Sequence, residues 1–369
     1  MMKKPFFAAA AAAAALLVQP VAALPGTTQY IPDASGEYVF YRDASFERES
    51  YTGFVYYDES TYGVRYYAPA VQDKKAPREE KDIQLYFTVD TLQDHFEPTG
   101  ERIAGTVTPD DTDVINYLHD MMYELTARRV KAGTVASQVT QTQDFQQFGG
   151  EVTLLFNPLV PIFNLECIKS LDGKTILQVV TTGLLSGAQN EQADTSFTDF
   201  KGFPQKLTDK EHVFKRNKKA AVATYTYSKD ELFTQTVQLD NQWTQYADNF
   251  FFLGKHDALV TFDVAVQASD TTDKQDYASR LLRRFLQSNP NSYANWMELS
   301  LQKVGNRTIA TLPVYVQSSN TRMHLFRVID EQKDGSVAFF LMTVYDSIYQ
   351  KNKAYFDAVV GSYTVAAKE

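Results

Sequence analysis

The chain has 369 residues, 44% of them hydrophobic, which suits about two domains with a core each. A formal charge of −9 argues against nucleic acid or an anionic membrane surface as the main partner, because both need clustered Lys and Arg. A single cysteine, Cys167, permits no internal disulfide, so the fold must be held by its cores alone.

Residues 1–23 read as a secretory signal. Lys3-Lys4 form the basic region, Phe6 to Val18 the apolar region, and Val21-Ala22-Ala23 a small-residue cleavage site. The apolar region is too short for a spanning helix, and no later run approaches about 18 uninterrupted apolar residues. No transmembrane segment is therefore expected in the mature chain. Cleavage after Ala23 removes two lysines and no acidic residue, which moves the formal charge from −9 to −11. A disulfide-free exported chain fits a bacterial periplasm, or secretion from it, better than a eukaryotic secreted setting.

An aromatic segment from Tyr38 to Tyr67 follows. Phe54–Tyr57 and Tyr62–Tyr67 read as strands of a hairpin or meander joined at Asp58-Glu59-Ser60. Tyr62, Val64 and Tyr66 share one strand face, with Gly63, Arg65 and Tyr67 on the other. Tyr56, Tyr62 and Tyr66 are the candidate ligand-binding residues, as an exposed platform for a peptide or glycan. The competing expectation is that tyrosines simply suit half-buried sheet positions. Asp73 to Asp82 is a mixed-charge loop, Ile83–Val89 a strand, and His95 to Pro109 irregular.

A helix is expected over roughly Asp113 to Ala132, with Val114, Leu118, Met121, Met122 and Leu125 on one stripe. Thr112 or Asp113 can cap it, and Gly133 suits its end. Phe163, Leu165 and Cys167 alternate toward one strand face before the Asp172-Gly173 turn, and Leu177 and Val179 lie on the return strand. The same order recurs later. An apolar run, Leu259–Val266, precedes a second helical stripe of Tyr277, Leu281, Leu282 and Phe285. An Asp334-Gly335 turn and an unbroken apolar strand, Val337 to Val344, come next, the latter expected to be buried on both faces. A helix from about Ser347 to Val360 closes the chain. Ser196-Phe197 and Ser362-Tyr363 end the two copies.

This repetition reads as a diverged tandem duplication: a first domain at 27–197, a linker at 198–212 and a second domain at 213–369. The fold class is α+β, two tandem α/β sandwich domains, each an antiparallel sheet with helices packed on it. The order of elements, with the ending Tyr355-Phe356-Asp357-Ala358-Val359-Val360-Gly361-Ser362-Tyr363, resembles the PsbP-like family of secreted or lumenal α/β sandwiches. The resemblance covers Leu259–Tyr363 better than Ile83–Phe197. That family is mostly non-catalytic, so the resemblance implies no site residue.

No catalytic residue, metal ligand or cofactor motif emerges. His119-Asp120 with Glu124 lacks the spacing that puts two imidazoles on one metal, and His256 sits at a turn. His324 alternates with Phe326 and Val328 as a core histidine would. Asp110-Asp111-Thr112-Asp113 could attract a hard cation, but a helix N-terminus favours carboxylates for capping instead. Gly183-Leu184-Leu185-Ser186-Gly187 does not have nucleophile-elbow spacing. Cys167 reads as an inert core thiol. The run Lys215-Arg216-Asn217-Lys218-Lys219 reads as a solvated linker. The function expected is an exported, non-catalytic envelope protein that binds a partner protein or small ligand through its aromatic strands or the groove between domains. The alternative is a secreted hydrolase whose carboxylates, or Ser, His and Asp, assemble only in the fold. An outer-membrane barrel fits poorly with two amphipathic helices and charged loops.

Overall fold

The aromatic N-terminal stretch folds as a meander. Strands β1 (Glu37–Asp43), β2 (Ser50–Asp58), β3 (Thr61–Ala68), β4 (Lys81–Val89) and β5 (Pro98–Ala104) pair antiparallel in sequence order. Helix α1 (Thr112–Ala127) is followed by β6 (Val139–Phe145), a 3-10 turn (Gln146–Phe148), β7 (Gly150–Phe156), β8 (Leu165–Ser170) and β9 (Thr175–Leu184), a second meander. β9 returns to lie against β1. The structure, a computed structural model, describes residues 35–58, 61–73, 76–89, 98–104, 111–127, 139–157, 160–184, 212–254, 257–262, 292–316 and 321–368.

The second half opens with β10 (Val222–Tyr227) and β11 (Phe233–Asp240), then β12 (Trp243–Ala247), β13 (Phe250–Leu253) and β14 (Ala258–Phe262). A three-residue strand, β15 (Tyr293–Asn295), leads through a 3-10 turn (Trp296–Glu298) into β16 (Ser300–Val304), β17 (Arg307–Val316), β18 (Thr321–Glu331) and β19 (Val337–Tyr345). Helices α2 (Asp346–Lys351) and α3 (Lys353–Gly361) and strand β20 (Thr364–Ala367) end the chain.

One sheet carries strands of both halves. β15 pairs β9 on one edge, Tyr293 opposite Gly183, and β17 on the other, Tyr293 opposite Tyr315. From β17 the order continues through β18, β19, β14, β13 and β12, all antiparallel. The sheet rolls in barrel fashion, although no register among the described residues joins its ends. A separate sheet has the order β10-β11-β20.

This overturns the expected fold class of two α+β sandwiches with helices packed on a sheet. The described residues are mostly antiparallel strand, and only three short helices accompany them. The physical reason lies in the strands, which carry apolar side chains on both faces. They satisfy those faces largely by rolling and by stacking sheet on sheet, so the three helices supply only part of the cover. The first helical stripe is present, with Leu118 and Met121 fully buried, but α1 packs into the rolled sheet's core beside β3 and β7 residues. The expected terminal helix is broken at Asn352 into α2 and α3. The second helical stripe at Tyr277–Phe285 lies outside the described residues, as does the 198–212 linker apart from His212.

Two large cores result. The first joins β1–β4, α1, β7, β8 and β9 to Ala294, Trp296, Leu312, Val314, Leu325 and Leu341 of the second half. The second lies on the other side of β18 and β19, under α2, α3 and β11. β19 therefore sits between them, and all nine of its residues are buried, as its lack of alternation predicts. The Asp-Gly turns recur as expected, Gly173 at φ 84° and Gly335 at φ 81°, each between the last two strands of a meander. What precedes them differs: β1 flanks β9, whereas β14 flanks β19.

A buried carboxylate fixes the helix. Asp43, at the end of β1, accepts from Tyr117 Oη of α1 at 2.5 Å, Thr52 Oγ1 at 2.7 Å and the Ser45 backbone N–H at 2.9 Å. Burial first, and then the adjacent Asp43 charge, hold the Tyr117 hydroxyl well above the usual phenol range.

Candidate functional site

Tyr56, Tyr62 and Tyr66 are 5%, 2% and 1% exposed and belong to the first core. Tyr56 and Tyr62 pack edge to face at 5.5 Å across the β2–β3 pair, and Phe46 closes over Tyr66 at 4.9 Å. They present no contiguous exposed area, so the platform their spacing suggested is absent. Their face of the rolled sheet is the inner one, covered by α1 and by β7.

The opposite face carries a second aromatic cluster, buried at Tyr38 and Tyr293 and partly exposed at Tyr315, that runs across the junction of the two halves. Tyr38 of β1 lies over Gly183 of β9, its cross-strand partner. Gly183 also pairs Tyr293 of β15, and the Tyr293 ring stacks on Tyr315 of β17 at 5.0 Å and 14°. Glycine is required where β1, β9 and β15 meet, because a Cβ there would lie 2.4 Å from Tyr38 Oη and 2.7 Å from the Ser292 carbonyl oxygen. Trp296 anchors the junction from the inner side by donating from Nε1 to Thr182 Oγ1 at 2.7 Å. Burial raises the hydroxyls of Tyr38, Tyr293 and Tyr315 above the usual phenol range, so all three are neutral donors at physiological pH.

Charged residues close the far end of this seam. Arg322 of β18 places its guanidinium 5.4 Å over Tyr315, pairs with Glu298 through Nη2, and brings Nε within 3.8 Å of Asp346. Asn295 donates to the other Glu298 oxygen at 2.8 Å, which fixes the fork. Asp346, in the first turn of α2, also binds His324 Nε2, and Gln350 donates to it at 3.1 Å. Burial pushes the Asp346 carboxyl up, but hydrogen bonds from His324 and Gln350 and the Arg322 charge outweigh it and hold it below the usual range. Exposure grades outward, from His324 at 8% through Asp346 and Arg322 to Glu298 at 44%.

Chemically, this arrangement is a cation paired with two carboxylates beside a stack of neutral phenols. It suits recognition better than turnover. His324 does have a carboxylate partner, but the nearby Ser347 hydroxyl donates to the His212 carbonyl oxygen and accepts from the His212 N–H, so it is not aimed at the imidazole. Among the described residues no group of three or more His, Cys, Asp or Glu is placed to hold a metal. Asp111, from the densest carboxylate cluster, is buried against Lys81. His119 packs on Phe87 at 5.3 Å, and His256 lies outside the described residues. Sequence reading missed Tyr38, Tyr293, Tyr315 and Arg322. The available signal was a glycine inside an apolar strand, Gly183, which marks a close approach of another chain segment.

Two family models match the chain, each described as a domain of unknown function: DUF7954 over residues 36–197 and DUF7955 over residues 226–364. Their boundary falls between 197 and 226, which is compatible with the tandem organisation expected from the sequence. A comparison with curated proteins found no match. Among solved structures, the chain is similar to the solution structure of cyanobacterial PsbP (CyanoP) from Synechocystis sp. PCC 6803. That similarity is 14% identity over 40% of this chain and 94% of that one, with a TM-score of 0.26. It is also similar to the crystal structure of a porin-like protein from Bacteroides uniformis ATCC 8492, at 11% identity over 86% of this chain and 97% of that one, with a TM-score of 0.16. At these TM-scores neither similarity carries an argument. No helix among the described residues is long and apolar enough to cross a membrane.

Proposed function

We propose that the chain is an exported, non-catalytic envelope protein that binds a partner protein or small ligand along the outer face of the seam between its halves. The observation that carries this reading is the gathering of Tyr315, Arg322 and Met297 around the Glu298 fork. Tyr315 and Arg322 are partly exposed, and Met297 is 56% exposed. Tyr, Arg and Met are the residue types enriched at the centres of protein interfaces, where rigid aromatic area and a fork-shaped donor give much contact for little lost freedom. The seam is also held in place before binding, which lowers the ordering cost. Export rests on the signal-like residues 1–23, and the periplasm or the exterior is the corresponding location. The PsbP-like resemblance at Leu259–Tyr363 is compatible with a binding role and names no ligand.

The test is recovery of the protein from its native envelope after mild crosslinking, followed by mass spectrometry of its N-terminus and of stoichiometric companions. Leu24 at the N-terminus and one reproducible companion are expected. Met297→Asp should reduce capture of that companion about tenfold while leaving the melting temperature within a few degrees. Equal capture by wild type and variant would remove the seam from the reading. Turnover of an envelope polymer without a companion would favour the hydrolase alternative.

A further inference from the structure

The basic run Lys215–Lys219 is not the loosely solvated linker its composition suggests. His212 lies flat on Tyr345 at 3.6 Å and 3°, and its backbone N–H donates to Ser347 Oγ at 3.0 Å. Phe214 stacks on Tyr355 at 6.2 Å, and the Arg216 guanidinium sits 4.5 Å over the same ring. Asn217 donates its backbone N–H to Gln242 Oε1 at 2.8 Å, while Gln242 Nε2 donates to the Lys215 carbonyl at 3.2 Å. The Asn217 side chain then accepts from the Lys219 N–H at 3.0 Å, and its carbonyl accepts from the Ala220 N–H at 3.0 Å. This is an Asx-stabilised turn with Lys218 and Lys219 at its tip. The segment is thus a strap tied across α2 and α3.

The strap holds its charge outward. Lys215, Arg216, Lys218 and Lys219 are all exposed. Among the described residues, Lys81 pairs with Asp111, Lys229 with Asp248 and Lys353 with Asp357. Lys215, Lys218 and Lys219 make no ion pair among the described residues. Two apolar side chains flank them at high exposure, Val213 at 66% and Val222 at 63%. The net charge of −9 does not cancel this patch locally, because at physiological ionic strength charges are screened within about 8 Å.

We propose that this turn docks the protein on an anionic phospholipid surface, with Val213 and Val222 entering the headgroup region. Three ammonium groups on flexible stems suit a surface of diffuse negative charge. An acidic peptide would gain more from guanidinium forks, and the single arginine here is committed to Tyr355. Exposed valines beside the cations add apolar contact that a nucleic-acid backbone would not use. The proposal is independent of the seam and of whatever the seam binds.

The test is co-sedimentation of the soluble, full chain as recovered from an expressing cell, with phosphatidylglycerol/phosphatidylcholine vesicles against phosphatidylcholine alone. Binding to the anionic vesicles, lost at high salt, is expected. Lys215→Glu/Lys218→Glu/Lys219→Glu should weaken it by at least about tenfold, and Val213→Asp should weaken it less. Lys218→Ser/Lys219→Ser serves if the triple variant does not give a native circular-dichroism spectrum. Equal binding by wild type and variants, equal binding to both vesicle types, or binding to polyglutamate or DNA without binding to vesicles would each overturn the proposal.

Discussion

Gly183→Ala probes the junction of the two halves most directly. The added methyl carbon would lie 2.4 Å from Tyr38 Oη, 2.6 Å from Tyr38 Cζ and 2.7 Å from the Ser292 carbonyl oxygen. Tyr38 is 2% exposed and Ser292 is fully buried, so neither can swing away into solvent. Relief requires β1 or β15 to move by several tenths of an ångström, which strains its hydrogen bonds to β9. Overpacking of this kind costs about 1–3 kcal/mol, and a backbone atom among the clashing partners places it near the upper end, ~3 kcal/mol. In a chain of this size that corresponds to a fall in melting temperature of about 4 °C. Gly173→Ala is the control. Its site is open to 4 Å and only its φ of 84° is strained, so it should cost ~1 kcal/mol. Tyr38→Phe should not rescue Gly183→Ala, since the ring carbon and the Ser292 oxygen remain. Differential scanning calorimetry decides the matter: if Gly183→Ala melts within a degree of wild type, or Gly173→Ala melts lower than it, the junction does not pack as described.

Three further outcomes are expected. Tyr38, Tyr41 and Tyr117 all have hydroxyls held well above the usual value of 10.0, with burial as the largest cause. A group whose native pKa is raised keeps its full stabilising effect below the unfolded value and loses it as pH rises toward the native one. Stability should therefore fall above about pH 10, by up to ~4 kcal/mol per pH unit for the three together, and the share of tyrosinate absorbance near 295 nm that belongs to these three should appear only with unfolding. Cys167 is 1% exposed and burial raises its thiol, so a thiol reagent should label native protein far more slowly than denatured protein, and Cys167→Ala should cost ~1 kcal/mol. Trypsin should cut at the exposed Lys215, Lys218 or Lys219, yet the two fragments should elute together in gel filtration, because β15 holds to both β9 and β17; separate elution would contradict that pairing.

Local structure was legible where a residue's chemistry acts over a few neighbours. The Asp172-Gly173 and Asp334-Gly335 turns, the α1 stripe from Val114 to Leu125 and the two-sided burial of Val337–Val344 follow from φ freedom and from period alone. The architecture did not follow, because period reports which side chains share a face and not what covers that face. Tyr62 and Tyr66 do share one face with Val64, as their period says, but α1 and β7 cover it. Arg216 reads as part of a solvated linker because Tyr355, which it contacts, lies well over a hundred positions downstream. The seam was hidden for the same reason: Tyr38, Tyr293 and Tyr315 are unremarkable in sequence, and only Gly183 hinted that something presses against that strand.

The three-residue strand β15 also sets an order of events. Gly183 must wait for Tyr293, 110 positions later in the chain (293 minus 183), before its second edge is covered. At about 5–20 residues per second of synthesis, that interval is about 5–20 s, far longer than a hairpin needs to form. Throughout it the first meander can assemble around α1, yet the upper part of β9 presents unpaired N–H and C=O groups and the space for Trp296 stays empty. An edge left open for that long invites pairing with another chain. A protein built this way gains from being kept unfolded until all of it has emerged. Sequestration by a holding chaperone, or passage across a membrane as an extended polypeptide, would shorten the exposure of that edge to the time the finished chain takes to fold.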